Sequence, residues 1–84
     1  MNLVEQVATQ IEQLIESGSW EVGKKIPPEM ELMEKFDVSR NTLREAIRAL
    51  VHAGLLETKQ GSGTIVRSAN SLGAALKRYV KKTA

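Results

Sequence analysis

The chain contains no cysteine, which excludes a disulfide framework and any thiolate metal site. Histidine occurs once, at His52, two residues before Gly54. That position reads as a cation-capable side chain near a helix C-terminus, where the helix dipole favours positive charge. With one histidine, no cysteine and no glycine-rich phosphate loop, the residues offer no nucleophile–base pair and no metal-ligand cluster. Catalysis is not expected, nor is a cofactor held by this chain. No run of about 18 apolar residues is present, so no segment is suited to span a membrane. The opening "MNLVEQVATQIEQ" has neither the basic n-region nor the apolar h-region of a secretory signal. A cytoplasmic location is the default expectation.

What the chain does contain is ordinary in amount and uneven in placement. Its 84 residues fit one small domain, 42% hydrophobic and 26% charged. A domain of this size buries roughly 60–65% of its unfolded surface, leaving a stability margin of a few kcal/mol. The formal net charge is only +2. Residues 1–37 nevertheless carry three lysines against eight acids, a balance of −5, while residues 38–84 carry nine Lys/Arg against Glu45 and Glu57, a balance of +7. The basic half of so polar a molecule suits a polyanionic partner.

Apolar residues at Leu3, Val4, Val7, Ala8, Ile11, Leu14 and Ile15 follow the spacing of an amphipathic helix over 2–17. Asn2 is a suitable cap, Glu5 completes a capping-box spacing, and Gly18 stops the helix. The loop "SGSWEVGKKIPPE" carries Trp20, expected to plug the core beneath it, and Lys24–Ile26 could form a very short strand. "PPEMELMEKF" opens with proline, tolerated in a first helical turn, and sets Leu32, Met33 and Phe36 on one face. Asp37 and Val38 leave only a tight turn before Ser39, a good N-cap. Two helices so joined, over about residues 29–53, form a helix-turn-helix.

The second of those helices, 40–53, carries Arg40, Arg44 and Arg48 four residues apart. At about 100° per residue, with Arg40 at zero, Arg44 falls near 40°, Arg48 near 80° and Asn41 near 100°. Leu43, Ala46, Ile47, Leu50 and Val51 cluster between about 240° and 20°, and Glu45 lies beyond the arginine arc near 140°. One face packs inward while the adjoining face holds three guanidiniums and an amide, with no acid among them. Like charges at this spacing cost roughly 0.2–0.5 kcal/mol per pair, so a partner outside the chain is expected to offset them. Nucleic acid does so well, because arginine bridges phosphates or reads guanine O6 and N7 bidentately. The second helix of such a pair is the one presented to DNA, N-terminal residues first.

After Gly54, "LLETK" and "TIVRS" flank the turn "QGSG", which reads as a β-hairpin over about 55–67. Two glycines at its tip allow a sharp turn or a close approach to a groove; Lys59 and Gln60 precede the tip and Arg67 follows the return strand. Asn70 or Ser71 can cap a last helix with Leu72, Leu76, Tyr79 and Val80 on one side and Lys77, Arg78, Lys81 and Lys82 on the other. The expected fold is mainly α with a small β-hairpin: a winged helix-turn-helix, a three-helix bundle plus wing over residues 1–67, with an additional C-terminal linker helix over 68–84.

The segment "KKIPPEMELMEKFDVSRNTLREAIRALVHAGLLETKQGSGTIV" resembles the DNA-binding domain of the GntR transcriptional regulators, over roughly residues 5–67. "IPPE", "VSRNTLREAIRAL", "GLLE" and "QGSGTIV" carry the resemblance jointly, and "RSANSLGAALKRYVKKTA" is more loosely similar to the connector of the FadR-like subfamily, which is favoured. The resemblance implies that Arg40 and Arg44 contact bases and phosphates, with Asn41 and Thr42 beside them. Ser39 would cap the helix and touch phosphate, and Arg48 would reach phosphate only. At the wing, Gln60 and Gly61 would approach the minor groove beside Lys59, with Ser62 and Gly63 shaping the turn. It further implies a homodimer of the full-length protein on a palindromic DNA operator, repression as the commoner mode, and a small-molecule effector bound on a C-terminal domain missing here. The chain is thus expected to be a fragment of a longer regulator.

One stretch departs from the family pattern. Where Pro-Ser-Glu-Arg is usual, this chain has Pro27-Pro28-Glu29-Met30. The serine cap is replaced by proline, and the arginine that reaches DNA in FadR-like members is Met30, so a weaker or shifted base preference is expected. The competing function class is a winged-helix module docking an acidic protein. The joint presence of an arginine stripe and a groove-sized, glycine-tipped wing favours DNA.

Overall fold

The computed structural model describes residues 2–69. The helix expected beyond Asn70 lies outside them. Three helices precede a hairpin: α1 (Leu3–Glu16), α2 (Glu29–Phe36), α3 (Arg40–His52), β1 (Leu56–Lys59) and β2 (Gly63–Val66).

α1 begins where Asn2 Oδ1 accepts from the Glu5 backbone N–H at 2.8 Å. The capping box closes through side chains, since Glu5 Oε1 accepts from Asn2 Nδ2 at 3.3 Å. Val7, Ile11 and Ile15 form its buried stripe. α2 starts one residue later than a first-turn proline would require. Pro28 stands before the helix as its N-cap and, lacking a side-chain acceptor, caps nothing. Its carbonyl still accepts from Leu32 N–H at 3.1 Å.

α2 and α3 end in the same way. After α2, Asp37 turns left-handed at φ 52, while Asp37 and Val38 N–H donate to the carbonyls of Glu34 and Met33. After α3, Gly54 has φ 84, and Gly54 and Leu55 N–H donate to Val51 and Leu50. This paired bonding satisfies carbonyls that a helix end otherwise leaves orphaned. Ala53 serves as the C-cap of α3, one residue short of the expected end.

The hairpin is antiparallel, pairing Leu56 with Val66 and Lys59 with Gly63. Lys24–Ile26 does not form a strand of its own. Lys25 makes a single antiparallel bridge to Ile65, and Gly23, Lys24 and Ile26 exchange three backbone hydrogen bonds with Thr64 and Val66 of β2 at 2.7–3.0 Å. The core joins Val7, Ile11 and Ile15 to Leu32, to Leu43, Ala46 and Leu50, and to Leu55, Leu56 and Val66. Trp20 packs against this cluster half-buried, as its loop position predicts. α3 lies chiefly against α1, which leaves its opposite face turned outward.

Candidate nucleic-acid interface

α3 divides as its periodicity predicts. Leu43, Ala46 and Leu50 are buried, whereas Arg40, Asn41, Arg44 and Arg48 are exposed. Ser39 Oγ accepts from Thr42 N–H at 3.2 Å and donates to Thr42 Oγ1 at 3.1 Å. The cap therefore fixes the first turn, with Thr42 half-buried beneath it.

The arginine stripe differs in one respect from its reading on a single helix. Glu29, the first residue of α2, reaches across to it: its Oε1 lies 2.6 Å from Arg40 Nε and 3.3 Å from Arg44 Nε, and its Oε2 accepts from Arg44 Nε at 3.4 Å. The expectation that relief of the repulsion must come from outside the chain is thus corrected. Part of it comes from the preceding helix, which a helical wheel of α3 does not include. Met30 lies beside the same pair, its sulfur accepting from Arg40 Nη2 at 3.7 Å. Among the described residues Arg48 has no ion-pair partner.

At the wing, the Ser62 N–H donates to the Lys59 carbonyl at 3.0 Å, closing a turn with Gly61 at φ 77 in its third position. That sign is what a type II turn requires there, and glycine adopts it without strain. Lys59, Gln60, Gly61, Ser62 and Gly63 are all exposed. Lys59 is not a free cation, since its Nζ lies 3.4 Å from Glu57 Oε1 on the same strand. A shallow cavity of about 290 Å³ separates helix from wing, with Arg44, Arg48 and Val51 on one wall and Thr58 and Thr64 on the other. The tip residues Ser62 and Gly63 line an adjoining cavity of about 390 Å³ together with Glu29 and Ile47.

The structure therefore brings Arg44 and Arg48 of α3 together with the strands of the wing on one side of the molecule, with Arg40 joined to them through Glu29. Glu29, Thr58 and Thr64 share that surface and were not singled out as site residues by sequence reasoning. The acid at the head of α2 was visible as a residue type, but its partners lie in another helix. Among the described residues no group of three or more His, Asp or Glu is placed to hold a metal ion, and no helix is long and apolar enough to cross a membrane.

The geometry agrees with what is known of similar proteins. The mannosyl-D-glycerate transport/metabolism system repressor MngR of Escherichia coli (strain K12) is 43% identical over 65 residues, 77% of this chain and 27% of MngR. The Uxu operon regulator of Haemophilus influenzae is 42% identical over 76 residues, 84% of this chain and 29% of that protein. The chain spans only 25% to 31% of the length of such curated relatives. Among solved structures, AraR(DBD) in complex with operator ORE1 superimposes with a TM-score of 0.75 at 45% identity, over 79% of this chain and 80% of that one. The family model of the bacterial regulatory proteins, gntR family, matches residues 3–66. This winged helix-turn-helix chain belongs to the gntR family of bacterial regulatory proteins.

Proposed function

We propose that the chain is the operator-reading domain of a bacterial transcription repressor, with α3 in the major groove and the wing tip at the minor groove. The observation that carries this reading is the exposed stripe of Arg40, Arg44 and Arg48, of which Arg44 and Arg48 share one cleft with Thr58 and Thr64 of the wing strands. The likeness to AraR(DBD), solved in complex with operator ORE1, supports DNA as the partner. Arg40 and Arg44, in the first turns of α3, read bases, with Asn41 and Thr42 beside them. Arg48, one turn further on, meets phosphate, as does Ser39. Lys59, Gln60 and Gly61 lie along the minor groove, and Ser62 and Gly63 hold the turn.

The names of the curated relatives, an operon regulator and a transport-system repressor, support repression over catalysis. The full-length protein is proposed to be a cytoplasmic homodimer of the FadR-like type on a palindromic site, since two-fold symmetric proteins pair with two-fold symmetric half-sites. Residues 68–84 lead toward an effector-binding, dimerising domain that takes a small molecule.

The test is selection of bound sequences from a random duplex pool by this domain and by its Arg44→Ala variant. A palindrome enriched by the parent and lost in the variant supports base reading by α3. Salt-sensitive binding with no enriched sequence leaves a backbone binder only. Absence of binding at low salt favours docking to an acidic protein instead.

A further inference from the structure

DNA binding by itself does not ask for a carboxylate in the middle of the cationic stripe. Phosphate contacts dominate affinity for a duplex, and an acid on the contact face opposes them. The dipole of α2 does not require it either, because Glu31 already places a carboxylate in the first turn. Yet Glu29 is the residue that crosses to α3, its Oε1 hidden from solvent within ion-pair distance of two guanidiniums while accepting no aligned hydrogen bond.

The chemistry of the contacts is informative. Glu29 Oε1 makes ion-pair contacts with the Nε of both arginines, 2.6 Å from Arg40 and 3.3 Å from Arg44, and its Oε2 accepts the one hydrogen bond between them, from Arg44 Nε at 3.4 Å. Both arginines are exposed, and Arg40 Nη2 makes a weak contact with the Met30 sulfur at 3.7 Å. A terminal fork can pair with guanine O6 and N7 in the bidentate manner. Holding Nε also restrains long side chains that would otherwise sample many rotamers and follow the nearest phosphate.

We infer that Glu29 is a specificity-determining positioning residue, which fixes Arg40 and Arg44 as a pair of base-reading forks and lowers their attraction to phosphate. It sharpens discrimination between sequences at the expense of affinity for DNA in general. The inference rests on the DNA-binding reading above.

The test uses the 84-residue chain with Glu29→Gln and Glu29→Asp. Affinity is measured by fluorescence anisotropy for two duplexes: the sequence the parent enriches from a random pool, and a scrambled duplex of the same length and composition. Glu29→Gln should bind the scrambled duplex at least as tightly as the parent, while the ratio of selected to scrambled affinity falls roughly tenfold, the scale of one bidentate base contact. Glu29→Asp keeps the charge at the head of α2 but is too short to span both guanidiniums. It should lose the ratio without gaining affinity for the scrambled duplex.

A merely structural role would weaken both duplexes together, and that result overturns the inference, as does an unchanged ratio in both variants. Because Glu29→Asp preserves the helix-terminal carboxylate, it still decides the matter should Glu29→Gln unfold. A parent that enriches no sequence overturns the DNA reading and the inference with it. That outcome is distinct from a parent that discriminates and variants that discriminate equally well.

Discussion

Met30 stands where a further arginine would complete a crowd of guanidiniums around one carboxylate. Its sulfur instead accepts from Arg40 Nη2 at 3.7 Å, and its side chain is 59% exposed. Met30→Arg is therefore expected to draw Glu29 away from Arg40 and add a third donor fork, shifting the half-site recovered by selection from a random pool. An identical half-site and affinity would show that position 30 does not reach DNA. Ser39→Ala removes a cap whose geometry is fully formed, and should lower stability by about 1 kcal/mol in denaturant unfolding. Both caps, Asn2 and Ser39, were legible from the sequence because a cap is a local pattern of neighbouring residues. The Glu29 bridge was not, since 11 and 15 positions separate it from Arg40 and Arg44.

At the scale of elements, the turn between α2 and α3 sets how the arginine helix is presented. Asp37 occupies its left-handed position at φ 52, a backbone region where L-residues are strained and glycine is not. Asp37→Gly should therefore stabilise the domain by up to about 1 kcal/mol, read as a higher denaturant midpoint at unchanged slope. The three helices and the hairpin were legible because each carries its own period, 3.6 or 2, and its own stop signal. The loop 24–26 was only half legible. Its pairing to β2 depends on a strand forty residues away, and one bridge is too little for a strand of its own. Pro28 illustrates the uncertainty of ends: proline suits both the first turn and the position before it, and the backbone here takes the latter.

For the molecule as a whole, one core serves every element. Ile11 is fully buried in that cluster, and Ile11→Ala should cost about 2–5 kcal/mol. Set against the few kcal/mol available to a domain this small, that loss should leave the chain largely unfolded at room temperature, as circular dichroism would report. The separation of an acidic first half from a basic second half was plain in the sequence and survives folding in part. One exception is Glu29, carried from α2 into the basic face.

The edge pairing of β2 has a mechanical consequence. Three hydrogen bonds fasten residues 23–26 to the wing, and two prolines, each with its φ restricted, connect that segment to Glu29. The wing and the head of α2 are thereby joined by a short connector whose start is hydrogen-bonded to β2. A displacement of the wing is therefore expected to carry the Glu29 carboxylate with it, so that wing and arginine pair adjust together rather than as independent grips.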